Sequence, residues 1–263
     1  MTRQVEGRRI VVTGAASGIG RGIALDLAEN GAKVVIADIN AQAAEDVAHD
    51  IGGKSGAEVI AVQTDVTKRE SFENLVGQTV RAFGGVDVFF NNAGIIETAE
   101  FLSITETSWN KLMNVNGLGV LLGTQEAAKQ MIKQGTGGKI INTSSIGSKQ
   151  GYAPFAHYCA SKFTVVALTQ AAARAFAKDN ITVNSFAPGV VHTALWDQLN
   201  REFMELGITK EPDQAINDFS VDILKGRYAT PKDVAGVTTF LASSASDYMT
   251  GQTVMIDGGM VLI

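Results

Sequence analysis

Residues 9–20 read Arg-Ile-Val-Val-Thr-Gly-Ala-Ala-Ser-Gly-Ile-Gly, and the fold is decided here. A continuous β-branched run, Arg9–Thr13, ends on a glycine-rich turn, and helix-forming sequence follows at once. An uninterrupted apolar run of strand length suits a strand covered on both faces, as in a parallel sheet between helices. Glycines after such a strand let the chain turn tightly and approach a pyrophosphate at the N-terminus of the next helix, where unpaired N–H groups favour negative charge. Gly14, Gly18 and Gly20 stand as G-x-x-x-G-x-G rather than G-x-G-x-x-G, with Ser17 and Ile19 completing the turn.

The pattern repeats outward from this point. Strand-length apolar runs occupy residues 9–13, 33–37, 58–64, 86–91, 139–143, 182–187 and 252–257. Helical segments fill residues 19–30, 41–52, 68–83, 106–133, 157–178 and 231–243. Pro231 suits a first helical position, with Thr230 as its cap. Strand–helix alternation over the whole chain predicts an α/β doubly wound sheet, and no Pro/Ser-rich linker divides residues 1–263, so one domain is expected. The rhythm stops at residues 190–227, which are helical in composition without a strand. An insertion at the ligand-binding edge of a sheet reads as a substrate lid, the alternative being a plain surface helix pair.

Asp38 ends the second strand, 18 residues beyond Gly20. A carboxylate there can accept both hydroxyls of an adenosine ribose and would repel a 2′-phosphate. No Arg or Lys stands at residues 15–17, and Ile39 follows Asp38. The charge pattern therefore favours NAD(H) over NADP(H), although Asp38 also suits a loop cap. Asp65-Val66 ends the third strand, where a carboxylate can meet an adenine amino group. Asn92-Ala93-Gly94 ends the fourth, where small and amide residues permit close backbone approach.

Tyr158 and Lys162 lie four residues apart at a helix start, on one face. A phenol of ordinary pKa about 10 is a poor base at neutral pH. Nearby positive charge stabilises phenolate, and Lys162 together with an oxidised nicotinamide is expected to lower the Tyr158 pKa in this way. Ser145 closes the strand 139–143, and its hydroxyl can bond a substrate oxygen while Tyr158 exchanges the proton. Asn116 lies mid-helix and serves either a helix–helix hydrogen bond or a water linking Lys162 to solvent.

TGAASGIG (13–20), NNAG (91–94), Asn116, Ser145, YCASK (158–162) and PGVVHT (188–193) together resemble the short-chain dehydrogenase/reductase family in order and spacing, over nearly the full chain. The resemblance implies a Rossmann-like domain with a seven-stranded parallel sheet, assembled as a homotetramer. It implies a tetrad in which Tyr158 is the acid/base, Ser145 orients the substrate oxygen, Lys162 binds ribose and tunes Tyr158, and Asn116 supports a proton relay. It further implies that Pro188, Gly189 and Thr193 lie beside the nicotinamide, with Val191 offering backbone groups to the carboxamide. The tail 247–261 and Trp196 are similar to acetoin reductases, butanediol dehydrogenases and polyol dehydrogenases.

Composition bounds the function. The 263 residues are 45% hydrophobic and 19% charged, with net charge −5, which favours neither nucleic acid nor an anionic membrane as partner. The N-terminus lacks a signal-peptide layout, no run spans a membrane, and the single cysteine, Cys159, excludes an internal disulfide, so a cytoplasmic setting is expected. His49, His157 and His192 are dispersed, so no metal is expected. The expected substrate wall is Ile95, Ser145, Ile146, Gln150, Tyr152, Gly189, Val190 and Trp196, mostly apolar and without an arginine cluster. Trp196 equally suits core packing. This predicts a small neutral secondary alcohol, vicinal diol or hydroxyketone, with sugar alcohols open. Competing readings are a 3-oxoacyl-thioester reductase using NADPH, an epimerase, and a non-catalytic NAD-binding sensor. Asp38 and the negative charge oppose the first, the lack of room for a larger C-terminal domain the second, and the joint presence of Ser145 and Tyr158 the third.

Overall fold

The computed structural model describes residues 4–262. Seven strands form one sheet: β1 (Arg9–Thr13), β2 (Lys33–Asp38), β3 (Val59–Gln63), β4 (Val88–Asn91), β5 (Gly138–Thr143), β6 (Ile181–Pro188) and β7 (Thr253–Ile256). Their order is β3-β2-β1-β4-β5-β6-β7, and every pairing is parallel. The direction of winding reverses between β1 and β4, and a crevice opens there at the carboxyl ends of the strands.

Nine helices connect and flank the strands among the described residues: α1 (Gly18–Glu29), α2 (Ala41–Ser55), α3 (Arg69–Phe83), α4 (Glu106–Met113), α5 (Gly119–Gln134), α6 (Ala156–Phe176), α7 (Ala194–Glu205), α8 (Gln214–Ser220) and α9 (Pro231–Ala242). Alternate strand residues face opposite layers. Ile10 and Val12 join Ile23 and Leu27 of α1 and Val234 and Leu241 of α9 in one core. Val11 and Phe89 join Phe72 and Leu75 of α3 and Met131 of α5 in the other. Each large side chain so buried contributes roughly 1.5–3 kcal/mol. At the start of α9, the Asp233 carboxylate accepts from the Thr230 N–H at 2.7 Å and from its hydroxyl at 2.8 Å, which closes the expected cap.

The expected single helix over 106–133 is interrupted. Residues Asn114–Leu118 form a π turn between α4 and α5, so Asn116 stands in a local widening of the helix rather than in its regular run. Such bulges cost regular hydrogen bonding and are frequent at functional sites. A third apolar cluster lies over the carboxyl end of the sheet, where Phe155 and Cys159 meet Trp196, Leu199, Phe203 and Ile216 of α7 and α8. Among the described residues no helix is long and apolar enough to cross a membrane.

Candidate active site

A cleft of about 610 Å³ runs across the carboxyl ends of the strands, from Asp38 and Asp65 at one end to Trp196 and Phe219 at the other. At the first end the β1–α1 turn is shaped by close contacts. Gly14 has φ +63, and a Cβ on it would stand 2.7 Å from Ala93 Cα. A Cβ on Gly20 would stand 2.2 Å from Gly14 O and 2.5 Å from Asn92 Nδ2. Only glycine fits at either place. Asn92 ties three strands together: its Nδ2 donates to Thr13 O at 2.9 Å, and its Oδ1 accepts from Thr143 Oγ1 at 3.1 Å. The cradle that this leaves, at the N-terminus of α1, fits the pyrophosphate of a dinucleotide.

Asp38 accepts from the Ala16 N–H and the Asn40 N–H, both at 3.1 Å. These bonds fix the carboxylate beside the glycine turn, so the loop-cap reading holds while the group still lines the cleft. Asp65 Oδ1 accepts from Thr67 N–H at 2.9 Å and Thr67 Oγ1 at 2.7 Å, which holds its carboxyl below the usual range. Ser17, Gly18, Ile19, Ile39, Val66, Ala93, Gly94, Pro188, Gly189 and Thr193 also line the cleft. Val191 forms a parallel bridge with Ala229, through Ala229 N–H to Val190 O and His192 N–H to Ala229 O, both 2.8 Å. That pattern uses the groups flanking Val191 and turns its own N–H and C=O to the other side.

The catalytic candidates converge mid-cleft. Ser145 follows β5, and its Oγ accepts from Gly147 N–H at 3.1 Å. Tyr158 and Lys162 stand one turn apart on α6, with the Lys162 ammonium 5.6 Å from the phenol ring centroid. Lys162 Nζ donates to Thr143 O at 3.0 Å. Burial pushes the Lys162 pKa down to about 8. It pushes Tyr158 up to about 12, with the Ser145 hydrogen bond opposing it. Lys162 by itself therefore does not give the expected lowering: desolvation of the phenol outweighs the ammonium, which faces the ring and is engaged with a carbonyl.

Asn116 does not line the cleft. It is fully buried behind it, where its Oδ1 accepts from Ile95 N–H at 2.9 Å and its Nδ2 donates to Ile95 O at 2.8 Å and Ser161 Oγ at 3.0 Å. Both amide hydrogens are thus used to hold the wall segment after β4 against α6. Of the expected substrate wall, Ile95, Ser145, Ile146, Tyr152, Gly189, Val190 and Trp196 line the cleft. Gln150 does not: it is exposed, and its Nε2 donates to Tyr152 Oη at 2.7 Å, so it acts on the wall only through Tyr152. Trp196 does both things proposed for it, packing in the third cluster at 9% exposure and lining the cleft. Sequence reasoning missed Ile96, Phe155, Leu199 and Phe219, which also line it. Leu199 had a signal, since Trp196, Leu199 and Phe203 stand three and four residues apart on one helical face, whereas Ile96, Phe155 and Phe219 showed only apolarity.

The pattern of the family described as "Enoyl-(Acyl carrier protein) reductase" matches residues 14–261. The chain is 42% identical to a diacetyl reductase [(S)-acetoin forming] of Staphylococcus epidermidis over 251 residues, which cover 95% of this chain and 97% of the relative. Among solved structures, a short-chain type dehydrogenase/reductase from Mycobacterium marinum superposes with TM-score 0.89 and 34% identity, covering 100% of this chain and 98% of that one. This chain belongs to the short-chain dehydrogenase/reductase family. It is an enzyme of the oxidoreductase class, and dehydrogenases of this family use NAD(P). A further short-chain relative of known structure, from Beutenbergia cavernae, has been suggested to be an NAD(P)-dependent gluconate 5-dehydrogenase and holds NADP at low occupancy. It shows TM-score 0.88, 35% identity and 99% coverage of both chains.

Proposed function

We propose that the chain interconverts a small neutral secondary alcohol or vicinal diol with its ketone or hydroxyketone, using NAD(H) in preference to NADP(H). The carrying observation is that Ser145, Tyr158 and Lys162 meet in a cleft whose opposite end presents Asp38 beside the glycine turn. A bound nicotinamide dinucleotide supplies the hydride donor or acceptor. Tyr158 Oη gives a proton to the carbonyl oxygen in reduction and takes the alcohol proton in oxidation. The Ser145 hydroxyl donates to the same substrate oxygen and fixes it near Tyr158. The Lys162 ammonium favours the phenolate that oxidation requires. Asn116 acts by holding Ile95, a positioning role, with the second lone pair of its Oδ1 left for a water.

The preference for NAD(H) rests on charge. Lys162 is the single Lys or Arg among the described lining residues, and it stands at the far end from Asp38. A 2′-phosphate would meet the Asp38 carboxylate with no cation to offset it. Residues 190–227 act as a substrate lid, since α7 and α8 carry Trp196, Leu199 and Phe219 over the reacting end. Assembly as a homotetramer is supported by half-exposed apolar side chains, Trp109, Leu118, Ile132 and Phe163, across α4, the π turn, α5 and α6.

The test is initial rates by nicotinamide absorbance for wild type and Tyr158→Phe, with acetoin, butanediols, sorbitol and simple secondary alcohols, each with NAD(H) and NADP(H). Turnover with NAD(H) is expected, reduced roughly 10²–10⁴-fold in Tyr158→Phe. A preference for NADP(H) would overturn the reading of Asp38, and a fully active Tyr158→Phe would overturn the mechanism. Light scattering on the same preparation separates a tetramer from a monomer.

A further inference from the structure

The reacting end of the cleft is nearly devoid of free polar groups. The charged residues lining the whole cleft are Asp38 and Asp65, both at the glycine-turn end, and Lys162, whose ammonium is bonded to Thr143 O at 3.0 Å. Its one side-chain amide, Asn92, is spent on Thr13 O and Thr143 Oγ1. Around Ser145 and Tyr158 the wall is Ile96, Ile146, Phe155, Val190, Trp196 and Phe219. The Tyr152 hydroxyl accepts the Gln150 amide at 2.7 Å and keeps its own proton for one oxygen beside the reacting one.

Phe219 organises this wall. It is the α8 residue that lines the cleft, and four rings surround it. The ring centroids of Phe155, Trp196, Phe203 and Tyr152 lie at 5.6, 5.8, 5.9 and 6.1 Å. These side chains come from the α6 approach and from α7, so the position of Phe219 is fixed from two segments. A rigid aromatic wall of this kind gains from burying carbon and offers a hydroxyl nothing in return for its lost water.

We propose that the substrate carries its oxygen at the reacting carbon and an apolar arm that lodges against Phe219, and that polyols are rejected. This rests on the oxidoreductase reading above. A hexitol would bring several hydroxyls into a region whose wall side chains can pair the reacting oxygen and, through Tyr152, one neighbour as in a vicinal diol. A hydrophobic pocket rejects a single added hydroxyl by about 10²-fold, and several added hydroxyls by more.

The test compares kcat/KM for 2-propanol, 2-butanol, 2-hexanol and sorbitol with NAD⁺ and NADP⁺, in wild type, Phe219→Ala, Phe219→Leu and Tyr158→Phe. From 2-propanol to 2-hexanol, kcat/KM is expected to rise by up to about fourfold per methylene. Sorbitol is expected at least ~10²-fold below 2-hexanol. Phe219→Ala should lower the 2-hexanol/2-propanol ratio about tenfold, and Phe219→Leu should restore most of it, which separates lost contact from lost folding. Sorbitol turned over as well as 2-hexanol, or a ratio unmoved in Phe219→Ala, overturns the inference. If sorbitol is preferred and that activity vanishes in Tyr158→Phe, the reaction reading stands and this inference alone falls. If every alcohol is inert with both cofactors, both fall.

Discussion

At Lys162 an ammonium only 5% exposed is held by one carbonyl, Thr143 O. Burial lowers its pKa from 10.5 to about 8. Between those values the unfolded chain binds the proton that the folded chain has released, so stability rises with pH across that window. Below about pH 8 the folded protein carries the full cost of a charged buried lysine, about 3 kcal/mol. Burial pushes Tyr158 up to about 12 with Lys162 already beside it, so on the lysine's charge alone the phenol is too weakly acidic to serve as a base near neutrality, and loss of that charge would weaken it further. Lys162→Met removes the cost and forfeits the bond to Thr143 O, for a net stabilisation of about 1 kcal/mol at pH 7. Urea midpoints should show that gain at pH 7 and lose it toward pH 10.5, while alcohol oxidation falls and its rising pH limb moves to higher pH. A Met variant less stable than wild type at pH 7 would show that burial is not what depresses this lysine.

The π turn Asn114–Leu118 belongs to the scale of elements, because what it achieves is a connection between segments. It carries Asn116 inward to bond both backbone groups of Ile95 and the hydroxyl of Ser161, joining the wall after β4 to α6. Asn116→Ala leaves a buried donor and acceptor without partners, at a cost of about 2 kcal/mol in urea unfolding. The same variant should raise KM for the ketone, because Ile95 and Ile96 lose their anchor. An unchanged urea midpoint and KM would show that the anchor is not what this residue provides. The turn had only a weak trace in the sequence: Asn114, Asn116, Gly117 and Gly119 are poor helix formers, but a single helix tolerates such a stretch and nothing in it specifies a widened turn. The glycine cradle, by contrast, was fully legible: Gly14 and Gly20 are places where a Cβ would strike backbone, so the chain has no other residue to use. Asp38, Ser145, Tyr158 and Lys162 were legible for a related reason, since each stands at a strand end or helix start that the apolar pattern marks. Phe219 was not, because it arrives on a helix outside the strand–helix rhythm. Gln150 was misplaced because its side chain turns to Tyr152 rather than to the cleft.

Across the whole molecule, two core clusters sit on the faces of the sheet and a third lies beyond its carboxyl edge. The third is knit mainly to itself: Asn200 Nδ2 of α7 donates to Asp213 at 2.9 Å, and the Ile216 N–H of α8 returns to Asn200 Oδ1 at 3.2 Å. Its outward ties run to loops at the sheet's edge: the Val191–Ala229 bridge, Lys225 N–H to Gly258 O at 3.1 Å after β7, and Thr98 N–H to Glu202 Oε2 at 3.0 Å. A segment with its own small core and few outward bonds opens at lower free energy than the sheet. Native-state hydrogen exchange should therefore find the amides of α7 and α8 less protected than those of β1, β4 and β5. Phe203→Ala deletes a ring that is 2% exposed and packed edge-on against Phe219, a loss of roughly 3–5 kcal/mol within this cluster. It should speed exchange in α7 and α8 while leaving the sheet amides close to their wild-type rates. An apolar ketone added with NADH should reverse part of that effect, because its arm replaces contacts that α7 and α8 have lost. If the sheet amides quicken along with α7 and α8, the third cluster is part of the global folding unit, and the proposal that it closes over the site as a separate lid falls.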